Sequence, residues 1–200
     1  MPRLRTIFVV AAESPTSQAP SKRLPSHQTA RLTLQPYTPD QLLALHEGVS
    51  EFEESLGGGV RAGKGLREFF VSDEVSPQWI ERLRAATGPD PWVFGFAVIH
   101  REDQCVIGAA SFKGPPDDDG VVEIAYGIVP AYQGLGYATE AAAALVDFAV
   151  ERVEVRTIRA HTMPDGNASM RVLVKAGFQF VGEVVDEEDG LVCRWERTIA

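Results

Sequence analysis

The stretch Glu123 to Ala141, EIAYGIVPAYQGLGYATEA, holds the residues whose types and spacing could do chemistry. A strand-like run ending at Val129-Pro130 leads into the Gly-rich turn Gln133-Gly134-Leu135-Gly136, and a helical pattern follows at once. Such a turn aims unpaired backbone N–H groups at one point, and the helix dipole adds partial positive charge there. The chemistry on offer is anion binding by the main chain, since Gln133 to Ala138 contains no Lys or Arg. Gly134 and Gly136 permit close backbone approach and left-handed dihedrals. Two nucleotide motifs do not fit. A P-loop ends Gly-Lys-Ser/Thr, whereas this turn ends Gly136-Tyr137-Ala138-Thr139. A dinucleotide fingerprint needs a third Gly where Thr139 stands, inside a parallel β-α-β unit.

The remaining reactive side chains read as structural. Cys105 and Cys193 lie in or beside strand patterns, as small core residues do. His27, His46, His100 and His161 show no metal-ligand spacing with one another or with either Cys, so no metal is expected. Nineteen Lys and Arg against 28 Asp and Glu give a net charge of −9. That balance disfavours nucleic acid, whose phosphates need a basic patch, and suits a cationic partner. The acidic runs Asp117 to Asp119 and Asp186 to Asp189 fall in turn sequences and read as solvated. Tyr126 and Trp92 read as sheet packing.

These residues must be positioned by a scaffold, and the chain announces one. Six of the 13 prolines precede residue 40, and Glu13 to Thr29 has the Ser, Pro and Gln content of a linker. Residues 1–29 are therefore expected to form an extension, flexible or adding a strand through Thr6 to Val10, and residues 30–200 a single domain. The short apolar run near the start does not make a convincing signal peptide, and no run approaches the roughly 20 apolar residues of a membrane span. The expectation is a soluble cytoplasmic protein, monomeric or homodimeric.

From Ala30 the periodicity predicts a strand at Arg31 to Tyr37, a helix opened by Thr38 as cap, and a helix at Pro77 to Thr87. Gly48 to Leu66 is Gly rich and cannot be placed. Strands are predicted at Trp92 to His100, Val106 to Lys113 and Val121 to Val129. The pattern continues with a helix at Gly136 to Arg152, whose Ala138, Ala141, Ala142, Leu145, Phe148 and Ala149 share a face. A strand at Arg156 to His161, a helix at Ala168 to Ala176 closed by Gly177, and strands at Phe178 to Val185 and Leu191 to Thr198 complete it. Hairpins combined with a β-α-β crossover imply an α/β fold of α+β type, a mixed and mostly antiparallel central sheet with helices on both faces.

Gln133, Gly136 and Ala138 match the pyrophosphate signature Q-x-x-G-x-A, and the chain here resembles the GNAT superfamily of acetyl-coenzyme A dependent N-acetyltransferases. The segment Asn167-Ala168-Ser169-Met170-Arg171-Val172-Leu173-Val174-Lys175-Ala176-Gly177-Phe178 is similar to that family's last helix and following strand. The resemblance covers Ala30 to the C-terminus and is nearest the branch that acetylates ribosomal-protein N-termini. It implies acetyl-CoA as cosubstrate and a primary amine, a small molecule or a protein N-terminus, as acceptor. The amides of Gln133, Gly134, Leu135, Gly136, Tyr137 and Ala138 would hold the pyrophosphate. Ile128 and Val129 would pair with the pantetheine arm, and Pro130 would let the strand diverge from its neighbour and leave a slot.

Direct attack by the amine needs a proton acceptor, and Glu123 at the start of the slot strand is the first candidate, His161 the second. Amides near Ile128 would stabilise the oxyanion. Ser169 is the candidate proton donor to the thiolate. Each has a structural alternative: a solvated hairpin Glu, a packed His, a first-turn hydroxyl. Two positions depart from the family pattern. Leu173 stands where many relatives have a tyrosine as general acid, and Asn167, the candidate pantetheine ligand, sits one step closer to Ser169 than usual. The alternative function is an acyl-CoA binding or sensing module without turnover. Loop specificity is expected from Gly48 to Val75.

Overall fold

In the computed structural model, residues 26–71, 76–165, 168–186 and 189–199 are described. Chain order begins with β1 (His27–Gln28), β2 (Leu32–Pro36), α1 (Pro39–Glu47), α2 (Val49–Leu56), β3 (Arg61–Ala62), α3 (Leu66–Phe70), α4 (Pro77–Ala85) and α5 (Pro91–Phe94). It continues with β4 (Phe96–His100), β5 (Cys105–Phe112), β6 (Val121–Ile128), a 3-10 turn at Pro130–Tyr132, α6 (Tyr137–Val150), β7 (Thr157–Thr162), α7 (Ala168–Lys175), β8 (Gln179–Asp186) and β9 (Gly190–Thr198). Among the described residues the strands form one sheet in the order β1-β2-β4-β5-β6-β7-β9-β8, with β3 parallel on β5. Its neighbours along that path are antiparallel except for β6 and β7. The predicted mixed, mostly antiparallel sheet is thus found.

Local signals account for several element ends. Thr38 accepts from the Gln41 amide while the Gln41 side chain accepts from the Thr38 amide, a reciprocal cap that starts α1. Ser76 caps α4 ahead of Pro77. Gly177, at φ 84, stops α7, and the Phe178 amide turns back to the Leu173 carbonyl at 3.0 Å. α6 lies across β5 and β6. Its Ala141, Ala142, Leu145 and Ala149 are fully buried, and the small side chains let the helix axis approach the sheet. Phe148 meets Phe112 and Phe96 of the sheet, and Trp92, at ring distances of 4.5 to 5.6 Å among the four.

Two parts of the sequence reading change. Trp92 to His100 is not one strand: Asp90 accepts from the Trp92 amide, Pro91 opens the single turn α5, and Gly95 at φ 66 ends it before β4 begins. The apolar run is continuous, so periodicity hides the break. Gly48 to Leu66, unplaced from sequence, supplies α2 and β3. β1 draws His27 and Gln28 of the expected extension into the sheet beside β2. The possible strand Thr6 to Val10 and residues 72–75 lie outside the described residues. No helix among the described residues is long and apolar enough to cross a membrane.

The central strands do not stay paired along their whole length. The parallel ladder between β6 and β7 covers only Val121 to Glu123 against Thr157 to Arg159. Beyond it β6 runs on to Ile128 and β7 to Thr162 without pairing to each other, while β6 stays paired with β5 through Ile128 and β7 with β9 through Thr162. The two strands therefore part after Glu123.

Candidate active site

The opening between β6 and β7 is edged by main chain. The Glu123 carbonyl accepts from Lys113 and the Val129 amide donates to Ile107, both towards β5. Strand alternation then turns the N–H and C=O groups of Ile124, Tyr126 and Ile128 towards β7, into the opening. Gln133 Nε2 donates to the Ile128 carbonyl at 2.7 Å, which leaves the Ile128 amide as the donor presented there. Val129, predicted beside it, has its amide on β5 and its side chain fully buried.

Beyond Ile128 the 3-10 turn carries the chain to the Gly-rich segment. Gly134 and Gly136 both have positive φ, 77° and 87°. Gly136 caps α6 without any side-chain hydrogen bond, so the first-turn amides of Tyr137 and Ala138 have no acceptor within the helix. The Gln133 amide donates to the Pro130 carbonyl within the turn. Leu135 is exposed, and the Tyr137 ring is buried beneath the turn. A polar chain braces this segment: Tyr132 Oη donates to Asp103 (2.7 Å), Asp103 lies 3.0 Å from His100 Nδ1, and His100 Nε2 is 2.9 Å from Tyr137 Oη. The two tyrosines flanking the turn are thus tied to the end of β4.

At the other end of the opening, Glu123 and His161 come together. Glu123 Oε1 lies 3.1 Å from His161 Nδ1 and 2.6 Å from Lys113 Nζ. The Glu123–His161 contact is at ion-pair distance but off the line of a good hydrogen bond, and His161 Nε2 has no partner among the described residues. Burial raises the Glu123 pKa, but contacts from His161 and Lys113 outweigh it and hold the carboxyl below its usual range. Lys113 is held above its ordinary range: its own burial works the other way, and the Glu123 carboxylate prevails. Glu123, Lys113 and His161 share the sheet face turned away from α6, as the alternation against buried Val122, Ile124, Ile158 and Ala160 requires.

Ser169 on α7 lies beside Tyr126 on the opposite, α6 side of the sheet. Burial pushes the Tyr126 hydroxyl well above its ordinary range, and the neighbouring Ser169 opposes the shift. Leu173, at the position of the family's tyrosine, is fully buried core. Asn167 lies outside the described residues. Among the described residues no group of three His, Cys, Asp or Glu is arranged to hold a metal ion.

The sequence reading singled out Glu123 and His161 separately, and the structure joins them. It missed Lys113, although counting back from the β5–β6 hairpin, where Phe112 pairs with Ile124, would place Lys113 opposite Glu123. It also missed Arg31 and Glu140, which meet across 109 residues of sequence and left no local signal.

Residues 31–179 match the acetyltransferase (GNAT) domain family. The uncharacterized N-acetyltransferase YjdG of Bacillus subtilis strain 168 is 26% identical over 151 residues, 76% of this chain and 88% of YjdG. Among solved structures, RimL, a ribosomal-protein α-N-acetyltransferase in complex with coenzyme A, superposes with a TM-score of 0.59 at 17% identity, covering 88% of this chain and 98% of RimL. The aminoglycoside acetyltransferase AAC(6')-Ib, also in complex with coenzyme A, gives a TM-score of 0.55 at 24% identity, covering 84% and 94%. With most of its length matched by that domain and its sheet opening where β6 leaves β7, this chain belongs to the GNAT family of acetyltransferases.

Proposed function

We propose that the opening between β6 and β7 takes the acyl-pantetheine arm of acetyl-CoA and that the protein transfers the acetyl group directly to a primary amine. The observation that carries the reading is the Glu123–His161 contact at the point where the strands part, with the Gly-rich turn at the far end of the same strand. The amides of Gly134, Leu135 and Gly136 and of the first turn of α6 hold the pyrophosphate, where main-chain donors and the helix dipole favour an anion, while the Gln133 amide stays on Pro130. The slot edge of Ile128 pairs with the pantetheine.

The acceptor arrives as an ammonium and gives a proton to the Glu123–His161 pair, which can take it on either member. The free amine then attacks the thioester carbon, forming the C–N bond. Negative charge gathers on the carbonyl oxygen, where the Ile128 amide donates to it. The C–S bond breaks, the nitrogen gives up its second proton, and the departing thiolate takes one through Ser169, whose hydroxyl relays the proton and is left neutral, with the Tyr126 hydroxyl beside it as a second relay. Base and donor lie on opposite faces of the sheet, so amine and thiol need not compete for the same space.

The acceptor belongs to the class of primary amines, protein N-termini or small cationic molecules. RimL and AAC(6')-Ib, which share the fold, are named for acceptors of those two kinds. A pocket of about 410 Å³ lined by Lys64, Gly65, Glu68, Phe69, Pro130 and Ala131 sets part of the Gly48 to Val75 segment against the turn, in keeping with a role for that segment in acceptor choice. Leu173 in place of a tyrosine is the feature that favours the second reading, a coenzyme A sensing module.

Calorimetric titration with acetyl-CoA, followed by thiol release on a panel of amines and N-terminal peptides, tests the proposal. Binding with turnover is expected. Binding without turnover on every amine would favour the sensing module, and absence of binding would remove the reading altogether.

A further inference from the structure

Arg31 and Glu140 hold the Gly-rich turn from behind. Glu140, in the first turn of α6, accepts from Thr29 Oγ1 (2.6 Å) and the Arg31 amide (2.7 Å) on Oε1, and from Arg31 Nε (2.8 Å) on Oε2. Arg31 Nη2 is also 2.8 Å from Oε2, so the guanidinium meets this carboxylate through two nitrogens. Nη1 donates to the Leu135 carbonyl at 3.0 Å, and the guanidinium carbon Cζ lies 4.3 Å from the centre of the Tyr137 ring. The charge of Arg31 is thus matched by Glu140, and its remaining reach goes to one peptide of the turn.

That peptide joins Leu135 to Gly136. In a trans peptide the C=O of one residue and the N–H of the next point in opposite directions. With the Leu135 carbonyl drawn towards Arg31, the Gly136 N–H must point away from it, to the open side of the turn. Gly136 has no side chain to hold this orientation, and at φ 87 its own backbone does not enforce it.

We propose that Arg31, fixed by Glu140, is a positioning residue for cosubstrate binding: by anchoring the Leu135 carbonyl it aims the Gly136 amide at the coenzyme A pyrophosphate. This rests on the acetyl-CoA reading above. It assigns a function to a contact between the β1–β2 turn and α6 that a purely architectural view would count as an exposed ion pair. It also separates the role of Arg31 from that of a phosphate ligand, because each of its three nitrogens meets a protein oxygen, of Glu140 or of Leu135.

The test compares acetyl-CoA with S-acetylpantetheine, which carries the same thioester but no pyrophosphate. In Arg31→Met the KM and Kd for acetyl-CoA are expected to rise about tenfold, as one well-aimed donor to a charged group is lost. The KM for the amine and the kcat/KM for S-acetylpantetheine should change less than twofold. Glu140→Gln should raise the acetyl-CoA Kd in the same direction, and the double variant should be no weaker than Arg31→Met alone, since both changes release the same carbonyl. Arg31→Lys, a single point donor without the planar fork, gives a second folded variant and should fall between. Circular dichroism confirms folding in each. Wild-type affinity in a folded Arg31→Met, or an equal loss with S-acetylpantetheine, would overturn the positioning role. Failure of the wild-type protein itself to bind acetyl-CoA would overturn the reading beneath it.

Discussion

Glu123 Oε1 lies 3.1 Å from His161 Nδ1, one residue from each of two parallel strands that stop pairing where Glu123 sits. The strands bring a carboxylate and an imidazole together at the apex of a widening gap, with Lys113 2.6 Å from the same oxygen. The pair proposed as proton acceptor thus sits on two strands of the sheet, at the closed end of the opening between them.

Removing that acceptor should act on turnover. Glu123→Gln is expected to lower kcat by about 100-fold or more, the usual range for a general base, while the Kd for acetyl-CoA measured by calorimetry stays nearly constant. A wild-type pH–rate profile in this variant would make Glu123 a structural residue.

Lys113 should tune the same carboxylate. It is one of the contacts that hold the Glu123 pKa down, so Lys113→Met should raise that pKa and move the acidic limb of the pH–rate profile to higher pH. The direction is the diagnostic: a limb that stays in place would show that Glu123 protonation does not govern the rate.

The Gly-rich turn should tolerate little. Gly136→Val places a β-branched residue at φ 87 with its Cβ about 3.4 Å from Arg31 Nη2, so coenzyme A affinity should fall at least tenfold in a folded variant. Unchanged affinity by calorimetry would remove the pyrophosphate assignment.

The slot also depends on close contact between β5 and β6. A Cβ on Gly108 would meet the Gly127 carbonyl oxygen at 2.2 Å and the Ile128 side chain at 2.9 Å. Gly108→Ala should therefore force β6 outward, costing about 1–3 kcal/mol of stability and weakening acetyl-CoA binding together. Chemical denaturation and calorimetry on the same preparation would show whether the two losses travel together.

Acid should loosen the fold through Glu140 as well as Glu123. Burial raises the Glu140 pKa, but hydrogen bonds from Thr29 and Arg31 outweigh it and lower the folded-state value. A carboxyl depressed in the folded state stabilises it above the unfolded pKa, ordinarily about 4.3, and loses that contribution as pH falls through the folded value. The fall in Tm between pH 6 and pH 3 should be shallower in Glu140→Gln than in the wild type.

Several of these features are legible in the chain itself. The capping pair Thr38 and Gln41, the alanine face of α6, the stop at Gly177 and the Gly134-Leu135-Gly136 turn depend on residues within a few positions of one another, and local rules suffice for them. The same locality explains why α5 was hidden, since one helical turn inside an apolar run leaves the hydrophobic pattern unbroken. Glu123 and His161 could be named as candidates because each ends or begins a recognisable strand.

What local rules cannot supply is which strands stay paired and which separate. That Glu123 meets His161 depends on β6 and β7 pairing in parallel for three residues and then diverging. The Lys113 contact follows from hairpin register, and the Arg31–Glu140 clamp from α6 crossing towards β2. The sequence by itself determined most of the elements, the Gly-rich turn and the family. Tertiary structure decided the surroundings of Glu123 and the support behind the turn, because electrostatic contacts between residues 38 and 109 positions apart exist only once the chain has closed on itself.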